Sequence, residues 1–218
     1  MTDPISSPNV TPPDSPGRGR WIAFEGGEGG GKSTQSARLA AALDAVLTRE
    51  PGGTEIGRRL RELLLDPGTV ALDHRTEALL MAADRAQHVA QVVAPVLAAG
   101  RHVVSDRSAY SSIAYQGYAR GLPVDEVRSL SDWAMRGCWP DLVVLLDVPP
   151  AVATGRLGSD LDRIEQLGPE FHRRVSEGFA AMAAADPGRW VVVDGGRSVD
   201  DVEAVVRGAV RERLQLPV

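Results

Sequence analysis

The chain has 218 residues, of which 43% are hydrophobic and 24% charged, with a formal net charge of −5. That profile is ordinary for a folded domain, and the acidic balance argues against a nucleic-acid-binding protein. No apolar run approaches the ~20 residues needed to cross a bilayer, and the single cysteine, Cys138, excludes an internal disulfide and a Cys-based zinc cluster. A reduced, cytoplasmic setting fits, with Cys138 read as a small buried apolar residue.

Residues 1–19 read as a disordered tail, with Pro4, Pro8, Pro12, Pro13 and Pro16 among Ser, Thr and Asp. The tail lacks the basic start and apolar stretch of a signal peptide. Residues 20–218 read as one domain. Trp21–Phe24 is short, apolar and strand-like, and Gly26-Gly27-Glu28-Gly29-Gly30-Gly31-Lys32-Ser33 follows it. This run fits the phosphate-binding pattern G-x-x-x-x-G-K-[ST] at every fixed position. Glycines let consecutive backbone N–H groups point at one anion, and a helix N-terminus adds positive potential. Lys32 brings a charge to the outer phosphates, and the Ser33 hydroxyl can reach Mg2+. Apolar residues at helical spacing predict a helix from Gln35 to Leu47, with Ala45–Thr48 turning into a second strand.

Arg49 then stands at a strand end, although from spacing alone it reads as a solvated loop arginine. Pro51-Gly52-Gly53 breaks regular structure, and Thr54 is placed to cap a helix over Glu55–Leu65. Thr76–Leu97 reads as a long helix with Leu79, Leu80, Ala83, Ala86, Val89, Val93 and Leu97 as its buried stripe. In that helix His88 reads as a satisfied or exposed side chain, with no second histidine at metal-site spacing. His102–Ser105 is a third strand ending in Asp106-Arg107. A carboxylate there can hold Mg2+, and the arginine can clamp a phosphate.

The run from Tyr110 to Gly117 crowds aromatic, hydroxyl and amide groups at a helix start, a mix that suits a planar polar base. A helix over Pro123–Gly137 follows. Asp141–Val148 is a continuous apolar strand of the kind found inside a parallel sheet. Pro149 starts a short helix to Arg156, and the polar stretch around 154–165 reads as a lid. A helix around Phe171–Met182, a strand Trp190–Asp194 and a helix Val199–Leu214 complete the chain. Five strands alternating with helices imply a three-layer α/β fold with a five-stranded parallel sheet. No convincing D-x-x-G element of a GTPase switch follows the third strand and no Asn-Lys-x-Asp guanine reader is present, and a lid with arginines suits a small kinase that must exclude water.

From Trp21 to about Leu214 the chain resembles bacterial thymidylate (dTMP) kinase. The motifs are Phe24-Glu-Gly-Gly-Glu-Gly-Gly-Gly-Lys-Ser33, Thr48-Arg-Glu-Pro-Gly-Gly-Thr54, Ala83-Asp-Arg-Ala-Gln-His-Val89, Asp106-Arg-Ser108, Ser111–Gly117, Arg120-Gly-Leu122 and Asp162–Gln166. The resemblance implies a P-loop nucleoside-monophosphate-kinase-like fold, transfer from ATP to dTMP, Mg2+ as cofactor and a homodimer. It implies that Gly26, Gly27, Glu28, Gly29, Gly30, Gly31, Lys32, Ser33 and Thr34 bind ATP, and that Ser33 and Asp106 serve the metal. Arg49 and Arg107 would hold the dTMP phosphate. Glu28 would meet the sugar hydroxyl, Arg85 and Ser112 the thymine edge with Gln116 close by, and Tyr115 would sit under the sugar. Lys32 and Asp106 would take part in catalysis. The loop carries no arginine, which resembles the family's bacterial subtype; the resemblance then implies a catalytic charge supplied from the lid, by Arg156 ahead of Arg163. Three departures stand out. Met81 occupies the position of an aromatic that stacks on thymine, Ser108 replaces an aromatic, and Thr154 and Gly158 stand where other members carry arginines. Another kinase of the same fold, or a non-catalytic nucleotide-binding protein, are the alternatives.

Overall fold

Every residue of β1 (Trp21–Glu25) is buried, as its apolar run requires of a strand covered on both faces. In the computed structural model, which describes residues 17–156, 158 and 160–218, β1 lies at the centre of a sheet ordered β2-β3-β1-β4-β5. The other strands are β2 (Val46–Arg49), β3 (Val103–Asp106), β4 (Leu142–Asp147) and β5 (Trp190–Asp194), and every pairing is parallel. The expected tail over 1–16, Leu157 and Ser159 of the expected lid, and the side chain of Thr154 lie outside the described residues.

Side chains alternate across the sheet and fill two layers of core. Leu142, Val144 and Leu146 pack with Leu39 of α1 (Lys32–Leu43) and with Val202, Val206 and Val210 of α9 (Val199–Leu214). Val143 and Leu145 face the other way, towards Tyr115 and towards Val175 and Phe179 of α8 (Pro169–Ala185). A third cluster puts Trp21 and Val103 against Val89, Val93, Leu97 and Met135, with Cys138 buried beside them. The remaining helices are α2 (Glu55–Leu65), α3 (His74–His88), α4 (Ala94–Ala98), α5 (Ala109–Ser112), α6 (Val124–Met135) and α7 (Pro150–Arg156). Among the described residues no helix is long and apolar enough to cross a membrane.

Two expectations need correction. The helix after the glycine-rich loop ends at Leu43 rather than Leu47. Asp44 turns left-handed at φ 49°, and Val46 donates its N–H to His102 as strand pairing begins. The long helix starts two residues earlier than expected, because the Asp73 side chain accepts from the Arg75 and Thr76 N–H groups. It continues from α3 through a π-helical segment (Val89–Val93) into α4, just ahead of Pro95, which has no N–H to donate.

The stripe read from apolar spacing is buried at Val89, Val93 and Leu97 but not along α3. Leu79 is 57% exposed and Ala83 is exposed, whereas Glu77, Asp84, Arg85 and His88 are buried. Charged groups go inside only when partners await them, and here loops and other helices supply those partners.

Candidate active site

The parallel register brings the C-terminal ends of β2, β1 and β3 together, with Arg49 and Phe24 both paired to Asp106. The glycine-rich loop leaves β1 at this edge. Gly26 has φ 139°, and a Cβ there would sit 2.5 Å from the Leu146 carbonyl oxygen, so only glycine fits. Gly31 (φ 83°) turns the chain into α1 with no side-chain cap. The first N–H groups of α1, which begins at Lys32, Ser33 and Thr34, therefore lack a side-chain cap and form a cradle suited to an anion.

Lys32 is buried, and its Nζ donates to the Gly27 carbonyl at 2.6 Å. Burial and the nearby Arg107 lower its pKa to about 8, against the pull of Glu28, Asp106 and Glu25. The Ser33 hydroxyl donates to Asp106 Oδ2 at 2.5 Å, joining the loop to β3.

Arg107 follows Asp106 in a left-handed backbone conformation, φ 74°, which costs a non-glycine residue energy and is a mark of functional sites. The turn aims its guanidinium under the loop. It donates to Glu28 Oε1 at 2.5 Å, Ser111 Oγ at 3.0 Å, and the Gly26 carbonyl and Tyr115 hydroxyl, each at 3.1 Å. Burial works against its charge, but the field of Glu28, Tyr115, Asp106 and Glu25 wins and moves its pKa upward. Glu28 answers in kind. Burial opposes its ionisation, yet Arg107 and Lys32 hold its carboxyl at about 2, helped by a 2.8 Å bond from the Tyr115 hydroxyl.

Glu25, fully buried at the end of β1, accepts from the Ser108 N–H and hydroxyl and from the Ser111 hydroxyl. Burial pushes its pKa up to about 7, against Arg107 and those bonds. Ser108, the departure noted after Asp106-Arg107, thus braces Glu25 and caps α5.

Beside the loop opens a cleft. Met81, Arg85, Arg107, Ser112, Tyr115, Gln116 and Glu28 all line it. Arg85 Nε binds Glu50 Oε2 at 2.8 Å, and its Nη2 binds the Ser112 hydroxyl at 3.1 Å. Glu50 also meets His88 Nδ1 at 2.8 Å, and His88 Nε2 meets the Thr48 hydroxyl at 2.8 Å. His88 is therefore a satisfied buried histidine. Gln116 Nε2 donates to Glu77 at 3.0 Å. Two polar atoms of this wall are buried without a partner: the donor Arg85 Nη1 and the acceptor Gln116 Oε1.

The expected phosphate-side arginines divide. Arg107 lines the cleft, whereas Arg49 is exposed and absent from its lining. Sequence reasoning missed Arg61, which lines the cleft, donates to the Pro51 carbonyl at 3.0 Å and lies in the fields of Arg49 and Arg107. A signal was present: Arg61 sits four residues after Gly57 and three before Leu64, the buried residues of α2. Glu25, Glu50 and Glu77 were missed too.

The two lid arginines also part. Arg156, at the end of α7, donates to the carbonyls of Gly195 at 3.0 Å and Gly29 at 3.4 Å, and so lies on the phosphate loop. Arg163 does not. Its Nη2 binds Glu77 at 2.7 Å and its Nε binds the Leu64 carbonyl at 2.7 Å, which engages it in the cleft wall instead of at the phosphates.

A family model described as thymidylate kinase matches residues 24–206. The thymidylate kinase of Chromobacterium violaceum is 48% identical over 195 residues, covering 86% of this chain and 91% of that protein. That of Bifidobacterium longum is 45% identical over 202 residues, covering 89% and 98%. The crystal structure of thymidylate kinase from Ehrlichia chaffeensis superposes with a TM-score of 0.74 at 31% identity, covering 89% of this chain and 99% of that one. With the phosphate loop, the arginine-lined cleft and these relatives in agreement, the chain belongs to the thymidylate kinase family.

Proposed function

We propose that this chain transfers the γ-phosphoryl group of ATP to dTMP, giving ADP and dTDP for deoxynucleotide biosynthesis. The observation that carries the acceptor is the pair of unpartnered atoms in the cleft wall. Arg85 Nη1 can only donate and Gln116 Oε1 can only accept. A thymine edge offers the complement, a carbonyl oxygen beside a ring N–H. A buried polar atom left without a partner is costly, so the site favours a base that satisfies both.

The acceptor phosphate falls to Arg107 and Arg61, with Arg49 at the rim. One of its oxygens forms the new bond to the γ-phosphorus, and the bond from that phosphorus to the β,γ-bridging oxygen breaks, leaving the electron pair on ADP. The attacking oxygen is already anionic, so positioning and charge stabilisation carry the reaction. The loop N–H groups and Lys32 hold the donor phosphates, and Arg156 neutralises charge growing at the transferring group. Glu28 takes Arg107 and Tyr115 on Oε1, and among the described residues no bond reaches Oε2, which is left for a sugar hydroxyl. The Tyr115 ring, edge-on to Phe171 and Phe179, forms the floor beneath the sugar.

The hydroxyl of Ser33 and the carboxylate of Asp106 are an all-oxygen pair suited to Mg2+, which keeps several waters and phosphate oxygens as its other ligands. Bound there, the ion would offset negative charge on the phosphates.

We further read residues 20–218 as one catalytic domain with a lid at about 154–165, acting in the cytoplasm as a homodimer. The packed helices α2, α3 and α6 leave Ile56, Leu63, Leu79 and Trp133 exposed, the last at 78%. Patches of that kind mark association surfaces. An ADP-release assay with Mg-ATP tests the activity: release that depends on dTMP is expected. Nucleotide binding with no release would favour a non-catalytic relative.

A further inference from the structure

Gln116 can read thymine only if its amide faces the right way. With Arg85 Nη1 donating to the exocyclic 4-oxygen of the base, Gln116 Oε1 meets the ring N3–H of thymine; rotating the amide by half a turn would bring an N–H there instead, which matches the unprotonated N3 of cytosine and opposes the N3–H of thymine. Nothing in the Gln116 side chain itself sets the orientation.

Glu77 does. It is wholly buried, and its carboxylate has only oxygen acceptors to offer. Gln116 Nε2 approaches Glu77 Oε1 at 3.0 Å, so turning the amide would set oxygen against oxygen in a dry site. Two arginines keep the carboxylate in place. Arg120 Nη2 lies 3.0 Å from Oε2 and Arg163 Nη2 lies 2.7 Å from the same oxygen. Burial works against the charge on Glu77, but Arg120, Gln116 and Arg163 lower its pKa overall and keep it an acceptor. From Glu77 the contacts pass through Gln116 to the cleft, where Ser112, four residues earlier, receives Arg85.

We propose that Glu77 is a positioning residue for base choice: with Arg120 and Arg163 it locks the Gln116 amide so that its oxygen faces the base. The enzyme thereby selects thymine over cytosine through a group that never touches the substrate. The inference rests on the reading that Gln116 Oε1 meets the base. It also gives Arg163 a role, as a clamp of the specificity wall instead of a catalytic charge.

Glu77→Gln tests it. Arg120 Nη2 and Arg163 Nη2 both hold the new carbonyl at the Oε2 position, against the single, longer contact of Arg120 Nε at Oε1 (3.2 Å), so the new NH2 group faces Gln116, whose oxygen then turns away from the cleft. We expect the ratio of kcat/KM for dTMP to that for dCMP to fall at least about tenfold. Glu77→Asp keeps the acceptor and should hold the ratio within about threefold of wild type. A merely structural role would lower both substrates together and leave the ratio unchanged, which would overturn the proposal. Gln116→Leu separates the two layers of the argument. If it collapses the ratio while Glu77→Gln does not, Glu77 has no such role and the base reading stands. If Gln116→Leu leaves the ratio intact, the base reading itself fails. Should Glu77→Gln not fold, 15N-glutamine labelling of the wild type gives the answer. The Gln116 NH2 protons should stay protected from exchange when dTMP binds, and their release by dTMP would contradict the lock.

Discussion

The acceptor wall and the donor side of this site are built differently. In the wall, Glu50, Glu77, Arg85, His88, Ser112 and Gln116 are all buried, and each is held by at least one ion pair or hydrogen bond to another. On the donor side, Ser33, Thr34 and Arg156 are exposed, and Arg156 donates to backbone carbonyls, that of Gly29 in the loop and that of Gly195 after β5. A pre-paired, desolvated wall can reject a wrong base sharply, since any mismatch strands a buried polar atom. An exposed arginine costs little to move, and so can follow the phosphates as the site closes. On the proposed reading, specificity resides in the rigid half and charge stabilisation draws on the loose half.

Mutation can break that contrast. Arg156→Ala should lower kcat by about a hundredfold or more while KM for dTMP changes less than about threefold, because the charge acts mainly on the transition state. Steady-state kinetics at saturating Mg-ATP reads the split. A raised KM with unchanged kcat would instead place Arg156 with the acceptor. Arg61→Ala should show the opposite pattern, raising KM for dTMP about tenfold with a smaller loss of kcat, as expected for a charged contact to the acceptor phosphate.

The smallest effect concerns stability. Glu25 has a folded pKa of about 7 against an ordinary 4.5, so the native state binds the proton more tightly than the unfolded chain. Stability is thus lost as pH rises from about 4.5 through about 7, by on the order of 3 kcal/mol. Arg107 and Lys32 are the charged groups facing Glu25, and both limit the loss. Glu25→Gln can keep the bonds from Ser108 and Ser111 without the charge. Its Tm relative to wild type should be higher at pH 8 than at pH 5, and an equal difference at both pH values would contradict the assignment.

Much of the fold was legible because its signals are local. Pattern alone placed β4 and β5, and α2 and α9 begin and end where spacing and caps put them. The phosphate loop was readable because its glycines, lysine and serine are contiguous. The cleft was legible only in part. Its polar groups owe their burial to partners far along the chain, with Arg85 and Glu50 separated by 35 residues and Gln116 and Glu77 by 39. A sequence shows that such residues are polar, and polarity on a helix is ordinarily a sign of solvent. That is why apolar spacing puts Leu79 in the core although it is exposed, and gives no sign that Arg85 is buried. The same reasoning hid Arg61, whereas Arg163 entered the catalytic candidates as a lid arginine whose partner, Glu77, is 86 residues away.

The central claim is that the pair Arg85 Nη1 and Gln116 Oε1 selects a thymine base for phosphorylation. The most direct measurement is kcat/KM with Mg-ATP across deoxy- and ribonucleoside monophosphates. dTMP should be the best acceptor, with dCMP lower by a factor of about a hundred or more. A dCMP value equal to or above that for dTMP would contradict the account.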